Sequence, residues 1–275
     1  MQSLKLMAVL AHPDDESLGV GGTLAKYASE GVDVFLLTAT RGDSGRYRGF
    51  RSDDHQHPGP AALANIRERE LRAAASALGV RKVSLLDYRD QYLDRANPRE
   101  VISAISEHLR RIRPNVVVTF GPDGAYGHPD HIAISQFATA ALVAAADPGF
   151  EVGGINALEP HAVSKLYYVA WPESAWKAYQ AAFRKLVSTV DGIERQAVPW
   201  PNWAITTVID TRSYWPTVWR AISCHESQVS AYERLNQLSQ DDHEALWGQQ
   251  SFYRVFSTVS VGRMLETDLM EGICT

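Results

Sequence analysis

Apolar residues in the first half of the chain fall into short continuous runs separated by stretches with a helical stripe. Leu4 to Leu10 is such a run, of the length and type that buried parallel strands show. It ends at His12-Pro13, and from Ser17 the pattern turns helical through Leu18, Leu24 and Ala25, with Gly31 as a stop. Val32 to Thr38 predicts a second strand, parallel to the first through a right-handed connection. A helix is predicted from about Ala61 to Leu78, a third strand over Val83–Leu86 and a helix over Pro98–Arg113. Asn115–Thr119 gives a fourth, strongly β-branched strand, and a long Ala-rich helix runs from about Pro129 to Ala146.

Beyond Ala146 the pattern is less regular. Strands are expected at Lys165–Ala170, Thr206–Ile209 and Phe252–Val261, and helices at Ala175–Leu186 and Tyr214–His225. Asp147–Pro160 reads as an insertion beside the site, not a linker. The alternation predicts an α/β fold: a Rossmann-like, mostly parallel sheet with helices on both faces. It forms a single domain over 1–275, with a core over 1–146 and an irregular C-terminal part over 147–275.

Composition narrows the class. With 45% hydrophobic and 21% charged residues the chain is globular, and its net charge of −5 gives no general attraction to nucleic acid or anionic membrane. No apolar run approaches the roughly 20 residues of a spanning helix. Met1 to Leu10 is too short and too soon interrupted for a signal peptide. Cys224 and Cys274 are far apart and without CxxC spacing. A soluble cytoplasmic protein with unpaired thiols is expected.

Two stretches carry candidate chemistry: Ala11-His12-Pro13-Asp14-Asp15-Glu16 and Gly127-His128-Pro129-Asp130-His131. Each follows a predicted strand and precedes a predicted helix. Open parallel sheets bind ligands beyond the carboxyl ends of the strands, where strand order reverses, and strands one and four are neighbours there in the common order. Two imidazoles and one carboxylate, from His12, Asp15 and His131, suit a catalytic divalent metal with an open position for water. Asp14 could take a proton from that water, and His128 could stabilise an oxyanion and protonate a leaving amine. Either stretch alone would read as a helix cap or a surface group. Glu16 is expected to support the helix start.

Together the two motifs resemble the signature of the PIG-L/LmbE-like family of zinc-dependent N-acetylglucosamine deacetylases, which includes enzymes of mycothiol and bacillithiol synthesis. The resemblance covers the strand and helix order of roughly the first 146 residues and is weaker beyond. It implies Zn2+ (or another divalent metal such as Fe2+) on His12, Asp15 and His131, Asp14 as general base, and His128 as electrophile or acid tuned by Asp130. It also implies Tyr126 as a group that turns toward the carbonyl oxygen, Arg67 and Asp90 as sugar contacts, and His225 with Gln228 as a late motif of unassigned role. The implied reaction is removal of an N-acetyl group from a small-molecule amino sugar, with the C-terminal part completing the cleft. Relatives also form trimers and hexamers, so a homo-oligomer is an expectation.

Rival readings are an amidase for a larger acyl or thiol-conjugate amide, a non-haem iron oxygenase, which the parallel α/β pattern disfavours, and a non-catalytic sugar-binding protein. The polar loop Arg41–Pro60, with four arginines, His55 and His57, is a functional or a merely solvated segment. Seven tryptophans, all in the second half, suit core, interface or a sugar-stacking wall. Gly19, Gly21 and Gly22 have the wrong spacing for a dinucleotide loop.

Overall fold

In the computed structural model β1 (Lys5–Leu10) is buried from its second residue onward, as its apolar run predicts. The structure describes residues 3–152, 158–183, 187–190, 192–228, 233–259, 262 and 265–274. In chain order β1 is followed by α1 (Asp15–Ser29), β2 (Asp33–Thr40), α2 (Pro60–Ala77), β3 (Lys82–Tyr88) and α3 (Pro98–Ile112). Next come β4 (Val116–Phe120), a single turn α4 (Gly124–Gly127), and α5 (Pro129–Ala146). The second half contributes β5 (Lys165–Val169), α6 (Glu173–Phe183), β6 (Val187–Val190), β7 (Ile193–Gln196) and β8 (Thr207–Asp210). It ends with α7 (Trp215–Ser223), α8 (Gln240–Trp247) and β9 (Gln249–Ser257).

Strands from both halves join one seven-stranded sheet in the order β3-β2-β1-β4-β5-β9-β8. The β3-β2-β1-β4-β5 part is parallel, and β9 runs antiparallel to both its neighbours. The chain moves outward through β2 and β3, then crosses back to β4 beside β1. The reversal therefore falls between β1 and β4, where the two motifs begin. Helices α1, α2 and α7 pack together as one group, and α3 packs with α5 as the other.

α3 shows how sequence drives this packing. Its apolar residues Val101, Ile105, Leu109 and Ile112 form one buried stripe, while Asn97 caps its start by accepting from Arg99 N–H at 3.0 Å. Ser106 and Arg110 of the same helix are also buried. Arg110 donates to the carbonyls of Ala144, Ala145 and Asp147 at 2.6–3.2 Å, satisfying acceptors left open where α5 ends.

Departures from the sequence expectation are local. α1 starts at Asp15, two residues early, because the Asp14 carbonyl already accepts from Ser17 and Leu18 N–H. The β6–β7 hairpin was not expected: β7 is exposed at every position, so no buried face marks it. α8 was missed for want of a long apolar stripe, although Ser239 and Asp242 form a capping box at its start. β9 begins at Gln249 and ends at Ser257, while expected strand positions 260 and 261 lie outside the described residues, as do helix positions 184–186 and insertion positions 153–157. The tryptophans divide, from Trp247 fully buried to Trp203 at 85% exposed.

The α3–α5 contact predicts a stability difference. Leu109→Ala, at a fully buried site, should cost about 2–5 kcal/mol in urea unfolding, whereas Val143→Ala on the open face of α5 should stay within about 0.5 kcal/mol. Equal effects would contradict the buried stripe.

Candidate metal centre

The first motif leaves the carboxyl end of β1 through a constrained turn. Asp14 adopts φ 104°, ψ −25°, a conformation costly for a residue with a side chain and typical of functional loops. Three contacts hold it. Asp14 N–H donates to Glu16 Oε2 at 2.9 Å, Arg67 Nη2 donates to Asp14 Oδ2 at 3.0 Å, and the same guanidinium reaches the Pro13 carbonyl. Glu16 is fully buried. Its Oε1 accepts from Ser17 Oγ at 2.5 Å and from His225 Nε2 at 2.8 Å. Burial would raise the Glu16 carboxyl, but His225, Ser17 and the Asp14 N–H outweigh it and leave it below its ordinary range. Glu16 is thus an ionised support beneath the turn.

The second motif follows β4, whose last residue Phe120 stacks on the His131 ring at 4.0 Å between centroids. Between them α4 contains Ala125 at φ 62°, ψ −64°, a strained γ-like turn that swings Tyr126 toward the histidines. His128 caps α5, its Nδ1 accepting from Asp130 N–H at 3.2 Å. The proton of the neutral ring therefore sits on Nε2.

Adjacency of β1 and β4 brings the motifs into contact. His12 Nε2 lies 3.0 Å from Asp130 Oδ2 and 3.1 Å from Asp90 Oδ1, so this nitrogen carries a proton for two carboxylates. Its Nδ1 then faces the other way, 3.1 Å from His131 Nε2 and 3.7 Å from Asp15 Oδ2, while His131 Nε2 is 3.4 Å from Asp15 Oδ1. A tetrahedral metal with bonds of about 2.1 Å has donor–donor edges of roughly 3.4 Å. The nitrogen–nitrogen spacing is near that value, Asp15 turns one oxygen to each imidazole, and His128 brings a third imidazole within 4.8 Å of the other two, so the residues present fit a divalent cation. A further grouping, His12 with Asp90 and Asp130, is also close enough. It would need His12 Nε2, the nitrogen already committed to those carboxylates.

The electrostatics ask for a positive charge. Burial would lower the His12 imidazole, yet Asp90, Asp130 and Asp15 outweigh it and raise it well above its ordinary value. The buried Asp15 carboxyl is pushed up to about 7, by burial first. His131 is driven well down by burial and by the neighbouring histidines. His128 is lowered to about 4 by burial and by His12. A proton on His12 neutralises part of the carboxylate cluster, and a divalent cation would do so more completely.

A cleft of about 640 Å³ opens above these groups, with Tyr126 and His128 in its wall beside Arg46, Tyr92, Arg95 and the β6 residues Val187–Thr189. Another hollow of about 510 Å³, around Arg212 and Glu244, contains none of the motif residues.

Arg67 and Asp90, the two residues expected to touch a sugar, make contacts within the protein. Arg67 is 4% exposed, and besides Asp14 and Pro13 it donates to the Gly42 carbonyl at 3.1 Å. Asp90 binds His12 and accepts from Ser44 N–H at 3.1 Å. Asp130, expected to tune His128, sends its carboxylate to His12 and to the N–H groups of Gln91 and Leu93, and only its backbone N–H meets His128. These placements join α2, the segment after β3 and the start of α5 to the end of β1, a proximity that sequence spacing does not show.

The loop 41–60 is anchored. Gln228 Nε2 donates to the Arg46 carbonyl at 2.9 Å and Arg48 N–H to the Ser227 carbonyl at 2.6 Å, while His55 is solvated and His57 reaches the Gly45 carbonyl. Ser227 also donates twice to Glu70 of α2, at 2.6 and 2.7 Å. Glu70 carried no signal in sequence beyond sharing a turn with Arg67.

Comparison with known proteins agrees with the fold and with the family that the two motifs resemble. The model of the family described as PIG-L, GlcNAc-PI de-N-acetylase, matches residues 7–142. A Kineococcus radiotolerans protein described as 1D-myo-inositol 2-acetamido-2-deoxy-alpha-D-glucopyranoside deacetylase is 35% identical, over 99% of this chain and 84% of its own length. Among solved structures, the N,N'-diacetylchitobiose deacetylase of Pyrococcus horikoshii superimposes with TM-score 0.66 at 22% identity, covering 92% of this chain and 84% of that one. The 4-carboxy-2-hydroxymuconate hydratase GalB of Pseudomonas putida gives TM-score 0.69 at 20% identity, over 94% and 99% of the two chains. Neighbours this distant share the fold, and the hydratase shows that the fold alone does not fix the reaction.

The donor geometry predicts cation-linked stability. A divalent metal at about 100 times its Kd should stabilise the folded protein by about 2.7 kcal/mol, read as a rise in thermal midpoint that chelator reverses. His131→Ala should abolish the rise. A rise of equal size in that variant would move the metal elsewhere.

Proposed function

The chain belongs to the PIG-L family, and from that premise we propose that it removes the N-acetyl group from an N-acetylglucosamine-type conjugate and releases acetate. The observation that supports this most is the convergence of His12 Nδ1, His131 Nε2 and the Asp15 carboxylate, next in sequence to Asp14 and close to the cleft residue His128. We take the metal to be zinc, with Fe2+ as the alternative, and the site to be cytosolic, in keeping with the two free cysteines. No helix among the described residues is long and apolar enough to cross a membrane.

His12, Asp15 and His131 would hold the metal, which would supply Lewis acidity for the acetyl carbonyl and lower the pKa of water in the site. Asp14 takes a proton from the attacking water as its oxygen adds to the acetyl carbon. Arg67 aims its carboxylate, and the left-handed turn sets it apart from the neighbouring Asp15. His128, neutral with its proton on Nε2, donates to the carbonyl oxygen as charge develops there. Tyr126 is a second donor. Burial first, and then Asp15, Asp14 and Asp90, raise its phenol above the ordinary value, so it stays protonated across the working pH range. The C–N bond then breaks, the sugar nitrogen receives the proton carried by Asp14, and acetate leaves. Asp90 and Asp130 hold His12 in the orientation that frees Nδ1.

The test is acetate release from N-acetylglucosaminyl inositol, with and without chelator. Asp14→Asn should lower kcat on the order of 10²–10⁴-fold with metal content unchanged. Full activity in that variant would remove Asp14 as base. Tyr126→Phe should lose on the order of 10²-fold in kcat. Because a phenol held above its ordinary pKa does not ionise below about pH 10, the alkaline limb of the pH–rate profile should persist in Tyr126→Phe. Loss of that limb would contradict the protonated donor.

A further inference from the structure

Two buried contacts connect the late motif to the proposed base. His225 is fully buried at the end of α7, and its Nε2 donates to Glu16 Oε1 at 2.8 Å. Glu16 is equally buried, and its other oxygen accepts the Asp14 N–H at 2.9 Å. Asp14 is the residue held at φ 104°. Peptide geometry of that kind persists only where surrounding contacts over-determine it. Arg67 restrains the Asp14 side chain, and Glu16 restrains its backbone. Without His225, Glu16 would keep only the small Ser17 hydroxyl on Oε1, in a cavity closed to water, and would lose the donor that fixes its carboxylate plane.

We propose that His225 is a positioning residue for the deacetylation, acting through Glu16 to hold the Asp14 turn in its catalytic conformation. It touches neither the three metal donors nor the cleft wall. The neighbouring Ser227 and Gln228 attach the same segment to α2 and to loop 41–60, which is why a residue so late in the chain can reach the first catalytic turn. The proposal rests on the reading of Asp14 as base.

The experiment is a double-mutant cycle on the zinc enzyme, with metal content and thermal midpoint measured for every variant. His225→Ala is expected to lower kcat roughly 10- to 100-fold, with KM and metal content near wild type. His225→Gln, which keeps an N–H donor for Glu16, should recover most of the loss even if its thermal midpoint is as low as that of His225→Ala. Glu16→Gln should show a similar kcat defect, and His225→Ala in the Glu16→Gln background should add little, because both act in one chain. Multiplying losses in the double variant, a defect confined to KM, or a defect that tracks metal content would overturn the proposal. Asp14→Asn in parallel separates the two levels. If it keeps full activity the base assignment falls, whereas multiplying losses beside an inactive Asp14→Asn remove only the role of His225.

Discussion

The structure depends on how buried negative charge is balanced around His12. Asp15, Asp90 and Asp130 are each less than a tenth exposed and each lies against this one imidazole. Carboxylates so placed are costly unless a positive charge is shared among them. Two of them hold the Nε2 side of the ring and so determine what the other nitrogen can do. Nδ1 is turned toward His131 and Asp15, which with His12 are the three side chains of the proposed cation position. The same balance explains why neighbouring acids have separate tasks. Asp15 faces the donors, Asp14 is turned away by its left-handed backbone toward Arg67, and Glu16 is sent inward to His225.

Sheet topology makes this balance available. β1, β4 and β3 end on one side of the sheet, and each delivers part of the site: His12 to Asp15, Tyr126 to His131, and Asp90. A helix follows β1 and another follows the His128 cap, so the acidic residues also meet helix N-termini, where partial positive charge favours them. The second half of the chain closes what the first half opens. β6 forms one wall of the cleft, and the segment after α7 reaches beneath the Asp14 turn.

The parallel core was legible because its strands are uninterrupted apolar runs and its helices carry clean stripes, as in Val101, Ile105, Leu109 and Ile112. The meeting of His12, Asp15 and His131 was legible because they sit at strand–helix junctions whose topological positions can be deduced. The jobs of Arg67, Asp90 and Asp130 were not, since each is set by a contact between elements distant in sequence, and a buried Arg has the same letter as a solvated one. His225 stood out as part of a motif, yet its partner Glu16 lies 209 residues away and no periodicity connects them. The β6–β7 hairpin left no signal because its residues bury no common face.

Donor groupings that use His12 Nδ1 and those that use its Nε2 place a metal on opposite sides of its ring. Anomalous diffraction from zinc-loaded crystals, collected above and below the zinc edge, separates them directly. The account predicts one peak bounded by His12 Nδ1, the Asp15 carboxylate and His131 Nε2, with His12 Nε2 still bonded to Asp90 and Asp130. A peak between His12 Nε2, Asp90 and Asp130, or none at either position, would contradict it.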